Sequence, residues 1–373
     1  MRALVTGSDG FIGTNLCIRL GEASDREVLR IDHQSSDQQL VEAVEACDIV
    51  FHLAGVNRPT NPDEFMVGNR DFTARVASLV AARERPIPVI FASSIQAERE
   101  NPYGQSKRAA EAALLAASPD PLRWVHIYRL PNVFGKWCKP NYNSAVATFC
   151  HNIARGLPIT IHDPSAPLQL VYVDDVITHW LALASALLKG HLVPDGPYRS
   201  VTPVYATSVG EVASAVDGFH KTRKALGVER VGSGLMRALY ATYLSSLPPE
   251  DFSYPIVKHG DPRGVFAEML RTTDSGQVSF FTAHPGITRG GHYHHTKNEK
   301  FLVVRGRARF GFRHVVTGER LVMDVSGDDL RIVDTVPGWA HDITNTGQEE
   351  LVVLLWANEV FDREHPDTIS AKV

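Results

Sequence analysis

Cysteine is scarce in this chain, and its thiols are scattered. Cys17, Cys47, Cys138 and Cys150 stand apart with no C-x-x-C pair, which fits reduced, buried thiols in a reducing cytoplasm better than a disulfide framework or a thiolate metal site. An excess of positive charge is also missing. With 38 Lys and Arg against 42 Asp and Glu, the net charge is -4; binding a phosphate backbone needs the opposite balance, so nucleic acid is not an expected partner. Apolar runs such as Trp180 to Leu188 fall well short of the roughly 20 residues that span a bilayer, and no membrane partner is expected. The opening M-R-A-L-V-T-G-S-D-G is already a strand and a glycine turn, without the apolar core and small-residue cleavage site of a signal peptide. Solenoid-length repeats and low-complexity tracts are absent too.

What is present is an ordinary globular composition: 373 residues, 44% hydrophobic and 21% charged, with 28 Gly and 22 Pro. That length implies two domains, or one large domain with an appendage, each able to bury a core. The first half alternates strand-like and helix-like patterns: Ala3 to Val5, a helix from Phe11, Val28 to Ile31, another helix, Asp48 to Leu53, a helix through Ala74 to Ala82, then Val89 to Ala92. This rhythm predicts a parallel sheet covered by helices on both faces, an α/β fold of Rossmann type. Near residues 245 to 255 the proline-rich stretch S-S-L-P-P-E-D-F-S-Y-P marks a boundary. Beyond it, Val278 to Thr282, Phe301 to Val304, Ala308 to Phe312, Leu321 to Val325 and Leu351 to Trp356 are short β-branched and aromatic runs separated by turn residues. They predict an all-β sandwich or barrel. The expected domains are 1–246 and 252–373.

Chemistry concentrates at both ends of the chain. In T-G-S-D-G-F-I-G, the glycines Gly7, Gly10 and Gly13 follow a strand and open a helix, which allows a tight turn and brings backbone N–H groups to a pyrophosphate. Thr6, Phe11 and Ile12 belong to the same loop. Asp32, nineteen residues beyond Gly13 at the end of the second strand, is placed to accept hydrogen bonds from an adenosine ribose, which favours NAD over NADP. His33 follows it, and Arg30 is near enough to leave the cofactor open. Tyr103 and Lys107 in N-P-Y-G-Q-S-K share a helix face behind Pro102. The spacing carries little weight by itself. Ser94, ending the strand F-A-S-S, adds context, because an ammonium beside a phenol makes it a usable proton donor and acceptor, and Ser94 would hold the substrate oxygen.

These residues fall in a family pattern. T-G-x-x-G-x-x-G at Thr6 to Gly13, H-L-A-G at His52 to Gly55, Ser93 and Ser94, Y-x-x-x-K at Tyr103 and Lys107, R-L-P-N-V-F-G at Arg129 to Gly135 and V-Y-V-D-D-V at Val171 to Val176 appear in order. On them, the first ~245 residues resemble the extended short-chain dehydrogenase/reductases that act on nucleotide sugars. The resemblance implies a Ser94–Tyr103–Lys107 triad in which Tyr103 exchanges a proton with a sugar oxygen, Lys107 lowers its pKa and holds the nicotinamide ribose, and Ser94 orients the substrate. It also implies that Leu53, Ala54 and Gly55 line the cofactor groove and that Asn132 meets the substrate. No Asp-Glu pair follows the serines where the 4,6-dehydratases of this family carry their extra acid and base, so reduction or epimerisation is favoured over dehydration.

In the second half, His292 and His294 are two apart and project to one side of a strand, and Glu299 rejoins them after a turn. His341, in P-G-W-A-H-D-I-T-N, is a candidate fourth ligand. Nitrogen and oxygen donors without thiolate suit Zn, Fe, Mn, Co or Ni, with tetrahedral Zn favoured. The passage resembles the cupin superfamily: its first motif is matched at Gly286, His292, His294, Glu299 and Gly306, its second in part at Gly338, His341 and Asn345. D-P-R-G-V-F-A-E at Asp261 to Glu268 and R-G-G-H-Y at Arg289 to Tyr293 also resemble the deoxysugar 3,5-epimerases, cupins in which the corresponding histidine is a general base. On that pattern His292 removes a proton α to a ketone, while Arg263 and Glu268 help hold the sugar nucleotide. If His292 instead binds metal, then His295, Lys297 and Lys300 become the candidate bases.

A nucleotide-sugar reductase joined to an epimerase-like cupin implies consecutive steps on one 4-keto sugar. The ketone acidifies the C3 proton and later accepts hydride, so epimerisation comes first. With G-V-N-R-P at Gly55 to Pro59 and H-H-T-K-N-E-K-F at His294 to Phe301, nearly the whole chain resembles the CapF-type bifunctional capsular polysaccharide enzymes. That family implies conversion of UDP-2-acetamido-2,6-dideoxy-4-hexulose to UDP-2-acetamido-2,6-dideoxy-L-talose, a precursor of N-acetyl-L-fucosamine. It further implies NADPH, where Asp32 leaves NADH open, together with one zinc ion and a homodimer. Two alternatives stand beside it: a single-activity reductase or 4-epimerase with a sugar-binding or structural cupin, and a non-enzymatic NAD(P)-sensing module.

Overall fold

Strands made of residues apolar on both faces need cover on both sides, and the first half of the chain supplies it. In the computed structural model, which describes all residues except 192–195, 257–258, 262–263, 267–269, 273–275 and 360–363, six strands form one parallel sheet. Their order is Glu27–Ile31, Arg2–Thr6, Ile49–His52, Val89–Ser94, Val125–Leu130 and Tyr198–Arg199. Alternation along each strand divides the core in two. Ala3, Val5, Phe51 and Ile90 pack on Leu16, Leu20, Val176 and Trp180 of the helices Phe11–Gly21 and Val173–Leu188. Leu4, Val50, Phe91 and Ile127 face Leu40, Val44, Val76, Ala110 and Leu114 on the other side. Between Arg2–Thr6 and Ile49–His52 the strand order reverses, which opens a crevice at the carboxyl ends of the strands. The helix read through Ala74 to Ala82 is preceded by a wide π-helical turn, Met66–Asp71, which the sequence pattern did not reveal.

The chain forms two compact units, Met1–Val133 with Leu168–Ala206, and Phe134–Pro167 with Thr207–Val373. The change of character read at residues 245 to 255 falls where the helix Gly234–Ser245 gives way to a 3-10 turn, Pro249–Phe252, and the strand Ser253–Pro255. The second unit carries three helices, Ala145–Ala154, Val209–Lys224 and Gly234–Ser245, together with two five-stranded sheets. One sheet runs Ser253–Pro255, Arg331–Asp334, Glu299–Arg305, Leu351–Ala357, Gln277–Ala283; the other runs Arg320–Ser326, Arg307–His314, Trp339–Asn345, Thr288–Tyr293, Ile369–Ser370. All of these pairings are antiparallel. Alternating Ala308, Phe310 and Phe312 turn inward, and Phe310 meets Phe301 of the opposite sheet at 5.6 Å between ring centroids. This is the β-barrel architecture of the cupins. Within the same unit, Arg223 of the helix Val209–Lys224 reaches the strand residue Asp334, with Nε donating at 3.0 Å. Among the described residues, no helix is long and apolar enough to cross a membrane.

Candidate functional site

The glycine loop takes its shape from close approach. Gly7 has φ +67°, and a Cβ there would stand 2.8 Å from the Ala54 backbone, while one on Gly13 would stand 2.1 Å from the Gly7 carbonyl oxygen. Side chains are thus excluded from a turn that lies against Leu53 and Ala54. The helix behind it starts at Phe11 with Gly10 as N-cap and no side chain capping it, so its first amides are directed at whatever fills the crevice. Thr6 works from beneath. It is fully buried, its hydroxyl accepts from the N–H groups of Leu53 and Ala54 at 3.2 and 3.3 Å, and it lies 2.7 Å from His52 Nδ1. Burial pulls the His52 pKa down to about 3, which keeps a neutral imidazole between Thr6 and Thr73. At the end of the second strand, Asp32 Oδ1 accepts from Gln34 N–H at 2.9 Å and Ser35 Oγ at 3.1 Å. The Gln34 bond holds the Asp32 carboxyl below its usual range. His33 is exposed and pairs with Asp9 of the glycine loop at 3.0 Å.

Ser94 ends its strand and caps the turn Ile95–Glu98, its hydroxyl accepting from Gln96 N–H at 3.2 Å. Asn101 caps the next helix by accepting from Gly104 N–H at 2.8 Å, with Pro102 in its first turn. That helix places Tyr103 beside Ser94. Burial raises the phenol's pKa, and the neighbouring Ser94 hydroxyl opposes the rise. Lys107, one turn on, is buried; its ammonium donates to the Ala92 carbonyl at 3.1 Å. Burial pulls its pKa down to about 8 against the opposing pull of Glu111. A Cβ on Gly55 would stand 3.0 Å from Lys107 Nζ, so Leu53 to Gly55 border the space that Lys107 faces. Asn132 is exposed at the start of the strand Asn132–Phe134.

Two residues that sequence reasoning missed support this site. Asn69, buried in the π-helical turn, accepts from Val56 N–H at 2.9 Å and donates to Val56 O and Ser106 Oγ at 2.9 Å each. It ties the Gly55 segment to the Tyr103 helix, and nothing in the sequence singles it out. Glu111 accepts from Ser93 Oγ at 2.5 Å and takes a two-pronged Arg129 at 3.0 and 2.6 Å. It stands one turn beyond Lys107, a spacing that could have flagged it.

In the second unit the glycines of R-G-G-H make a bulge. Gly290 and Gly291 have φ +100° and +75°, and the register shifts between Gly290 and His292, which leaves His292 paired with His341. Their rings lie 4.7 Å apart, and His294 lies 5.0 Å from His292 and 5.3 Å from His341. Glu299, from the opposite sheet, brings Oε2 to 3.3 Å from His294 Nε2 and 3.7 Å from His341 Nε2. One ligand atom from each of the four residues lies within 4.8 Å of the others. Burial pulls His292 down to about 4 and lowers His341, which favours for these two rings the neutral form that binds metal. Burial also opposes charge on Glu299, but His294 and His341 overcome it and hold the carboxylate well below its usual range. His341 Nε2 is buried without a hydrogen-bond partner. An orphaned nitrogen facing two imidazoles and a carboxylate is the donor set a divalent cation requires.

His292, one of the proposed bases, is part of this cluster, and of His295, Lys297 and Lys300 it is Lys297 that pairs with it, with Nζ 2.9 Å from Glu299 Oε1. His295 lies against Tyr293 at 5.4 Å between rings, on the other side of the chain from His292 and His294. Lys300 likewise faces away from Glu299, its ammonium donating to Asp334 Oδ1 at 2.6 Å and Tyr254 OH at 3.0 Å. Strand alternation separates Lys300 from the four-residue cluster, while His295 lies in the turn beyond the strand Thr288–Tyr293. Arg263 and Glu268 lie outside the described residues. Asp367, in neither motif, holds the turn between His294 and Glu299, accepting from the N–H groups of His295, Thr296 and Lys297 at 2.9, 2.6 and 2.7 Å.

Comparison with known proteins agrees with this division of chemistry. Residues 3–193 match the model of the NAD dependent epimerase/dehydratase family, and residues 259–369 match the polysaccharide biosynthesis C-terminal domain. The chain is 53% identical over 373 residues to a UDP-2-acetamido-2,6-beta-L-arabino-hexul-4-ose reductase of Pseudomonas aeruginosa, covering 100% of this chain and 99% of that protein. It is 25% identical over 122 residues to the spore coat polysaccharide biosynthesis protein SpsL of Bacillus subtilis, covering 30% of this chain and 81% of that protein. The crystal structure of the capsular polysaccharide assembling protein CapF from Staphylococcus aureus matches with a TM-score of 0.67 and 39% identity over 100% of both chains. With a glycine loop, strand ends and family model that coincide over its first half, and a full-length relative at 53% identity, the chain belongs to the NAD dependent epimerase/dehydratase family.

Proposed function

We propose that this protein is a bifunctional nucleotide-sugar enzyme. Its cupin, residues 252–373, inverts C3 of UDP-2-acetamido-2,6-dideoxy-4-hexulose, and its N-terminal part, residues 1–246, then reduces the C4 ketone with NADPH. The product is UDP-2-acetamido-2,6-dideoxy-L-talose, on the way to N-acetyl-L-fucosamine, and the same reading takes the protein as a homodimer. The observation that carries the reduction is the convergence of Ser94, Tyr103 and Lys107 at the strand ends beside the glycine loop. NADPH, when bound, supplies the hydride. Tyr103 gives its phenolic proton to the C4 oxygen, Ser94 holds that oxygen, and the Lys107 ammonium favours the phenolate left behind. The N-terminal amides of the helix from Phe11 would hold the cofactor's pyrophosphate, and Asp32, at the place of the adenosine ribose, keeps NADH open as the hydride source.

In the cupin, His292, His294, Glu299 and His341 would hold one divalent ion, with Zn favoured by the donor set. Such an ion supplies positive charge to a ligand oxygen. Lys297, with Nζ 2.9 Å from Glu299 Oε1, is the group beside these residues that would move the C3 proton. The ketone acidifies that proton only while C4 is oxidised, so inversion precedes reduction.

A second reading, a single-activity reductase with a structural cupin, has one observation behind it: the Pseudomonas relative is named for reduction alone. Incubating the protein with the UDP-4-keto sugar and NADPH in deuterium oxide separates the two. We expect a C4-reduced product carrying deuterium at C3 by NMR. Reduction without C3 label establishes the second reading, and no reduction at all overturns both.

A further inference from the structure

Three of the four proposed cupin ligands, His292, His294 and Glu299, come from two stretches joined by a tight reversal, His294 to Glu299, and that reversal leaves backbone donors without a strand partner. The N–H groups of His295, Thr296 and Lys297 are consecutive, buried and turned the same way. Buried amides without acceptors are costly, so such a turn needs a compact acceptor that can serve several at once.

Asp367 supplies it from the far end of the sequence. Its Oδ1 accepts from His295 N–H at 2.9 Å, while its Oδ2 accepts from Thr296 N–H at 2.6 Å, Lys297 N–H at 2.7 Å and Thr296 Oγ at 3.0 Å. Its own backbone carbonyl accepts from His294 Nδ1. A carbonyl can only accept, so this bond keeps a ring proton on Nδ1, and with an ion bound the ring would offer Nε2, the atom 3.3 Å from Glu299, as the ligand. Two residues on, Ile369–Ser370 runs as a strand beside Thr288–Tyr293, pairing Ser370 with His292. Ala371 N–H then donates to the Gly291 carbonyl at 2.8 Å, and Arg313 Nε donates to the Lys372 carbonyl at 2.8 Å. The C-terminal segment is therefore bonded to the ligand-bearing chain on both sides of His294.

We propose that Asp367 is a positioning residue of the metal centre, and that residues 367–371 are a structural part of that centre. The inference rests on the reading of His292, His294, Glu299 and His341 as metal ligands. Asp367 acts through them: one residue fixes the His294 tautomer by its carbonyl and the spacing between His294 and Glu299 by its carboxylate. Outer partners of this kind are typically worth about 10- to 100-fold in metal affinity.

The test uses the full chain loaded with Zn or Co and competed with a chromophoric chelator. Asp367→Asn is nearly isosteric but turns an amide NH2 toward the N–H of His295 or toward those of Thr296 and Lys297. It should bind Zn about 10- to 100-fold more weakly than the wild type, and its Co complex should show an altered visible spectrum, which a loss of general stability would not produce. Asp367→Ser, which keeps one acceptor oxygen, serves the same comparison if the Asn variant does not fold. Wild-type Zn affinity and an unchanged Co spectrum in a folded variant overturn the inference alone. A wild-type chain that takes up neither metal overturns the ligand reading and the inference with it. Failure of both variants to fold, where the metal-free wild type folds, makes Asp367 a folding residue and also overturns it.

Discussion

Glu111 determines how far Lys107 remains an ammonium. Lys107 is buried, and burial has already brought its pKa to about 8; the carboxylate one helical turn away is what opposes a further fall. The sign follows directly. Glu111→Gln removes the negative charge, the ammonium becomes less favourable, and the pH at which Lys107 loses its proton moves down. If reduction needs the charged lysine, the basic limb of the kcat/KM profile for ketone reduction should shift downward by about one pH unit. Glu111→Asp keeps the charge and should hold the limb in place, even if its bonds to Ser93 and Arg129 weaken. A lower rate with an unmoved limb in Glu111→Gln would show that Glu111 only supports the strand end. At this scale much of the candidate site was legible: Tyr103, Lys107, Ser94 and the four candidate cupin ligands all stand in short motifs whose spacing has a geometric meaning. Asn69 and Asp367 were not legible, because their partners are remote in sequence and depend on how the chain returns.

Strands and helices were legible to the extent that their periodicity was clean, and local irregularity was not. The π-helical turn at Met66–Asp71 and the bulge at Gly290–His292 each break the period that sequence reading relies on. Alternation also explains why Lys300 drew attention as a base: it sits next to the candidate ligand Glu299 in sequence, which in a strand places it on the opposite face. The bulge makes its own prediction. Gly290 has φ +100°, and a Cβ there would meet His341 O at 2.9 Å and Asp342 Cα at 3.0 Å, whereas Gly286 has φ +76° with nothing within 4 Å. Both Gly→Ala changes incur backbone strain, of the order of about 1–3 kcal/mol, but only Gly290→Ala pushes on the strand that carries His341. Thermal melts should therefore fall for both variants. Zn stoichiometry should fall for Gly290→Ala and stay whole for Gly286→Ala; equal metal loss in the two would mean that the bulge does not set the ligand geometry.

At the level of the whole molecule, two sites share one chain without sharing a residue. Every triad and glycine-loop residue lies in Met1–Val133, and every proposed metal ligand lies in the other compact unit, between His292 and His341. The change in texture from α/β to all-β was plain in the sequence, because periods of 3.6 and 2 residues are local. The membership of the compact units was not, because it depends on contacts such as Arg223 with Asp334, which join positions 111 residues apart. Each unit has its own buried residues and its own chemistry, so single substitutions should separate the activities. Tyr103→Phe removes the proton donor for the C4 oxygen and leaves the cupin intact. It should abolish NADPH oxidation while the 4-keto sugar still takes up deuterium at C3 in deuterium oxide. His292→Ala removes a ligand and should stop C3 exchange, with a thermal melt showing whether the metal also held the fold. The two results are informative only together. Loss of exchange in Tyr103→Phe would mean that the cupin depends on a competent reductase site, and the order of steps would then come from coupling between the sites instead of from the acidity of the ketone.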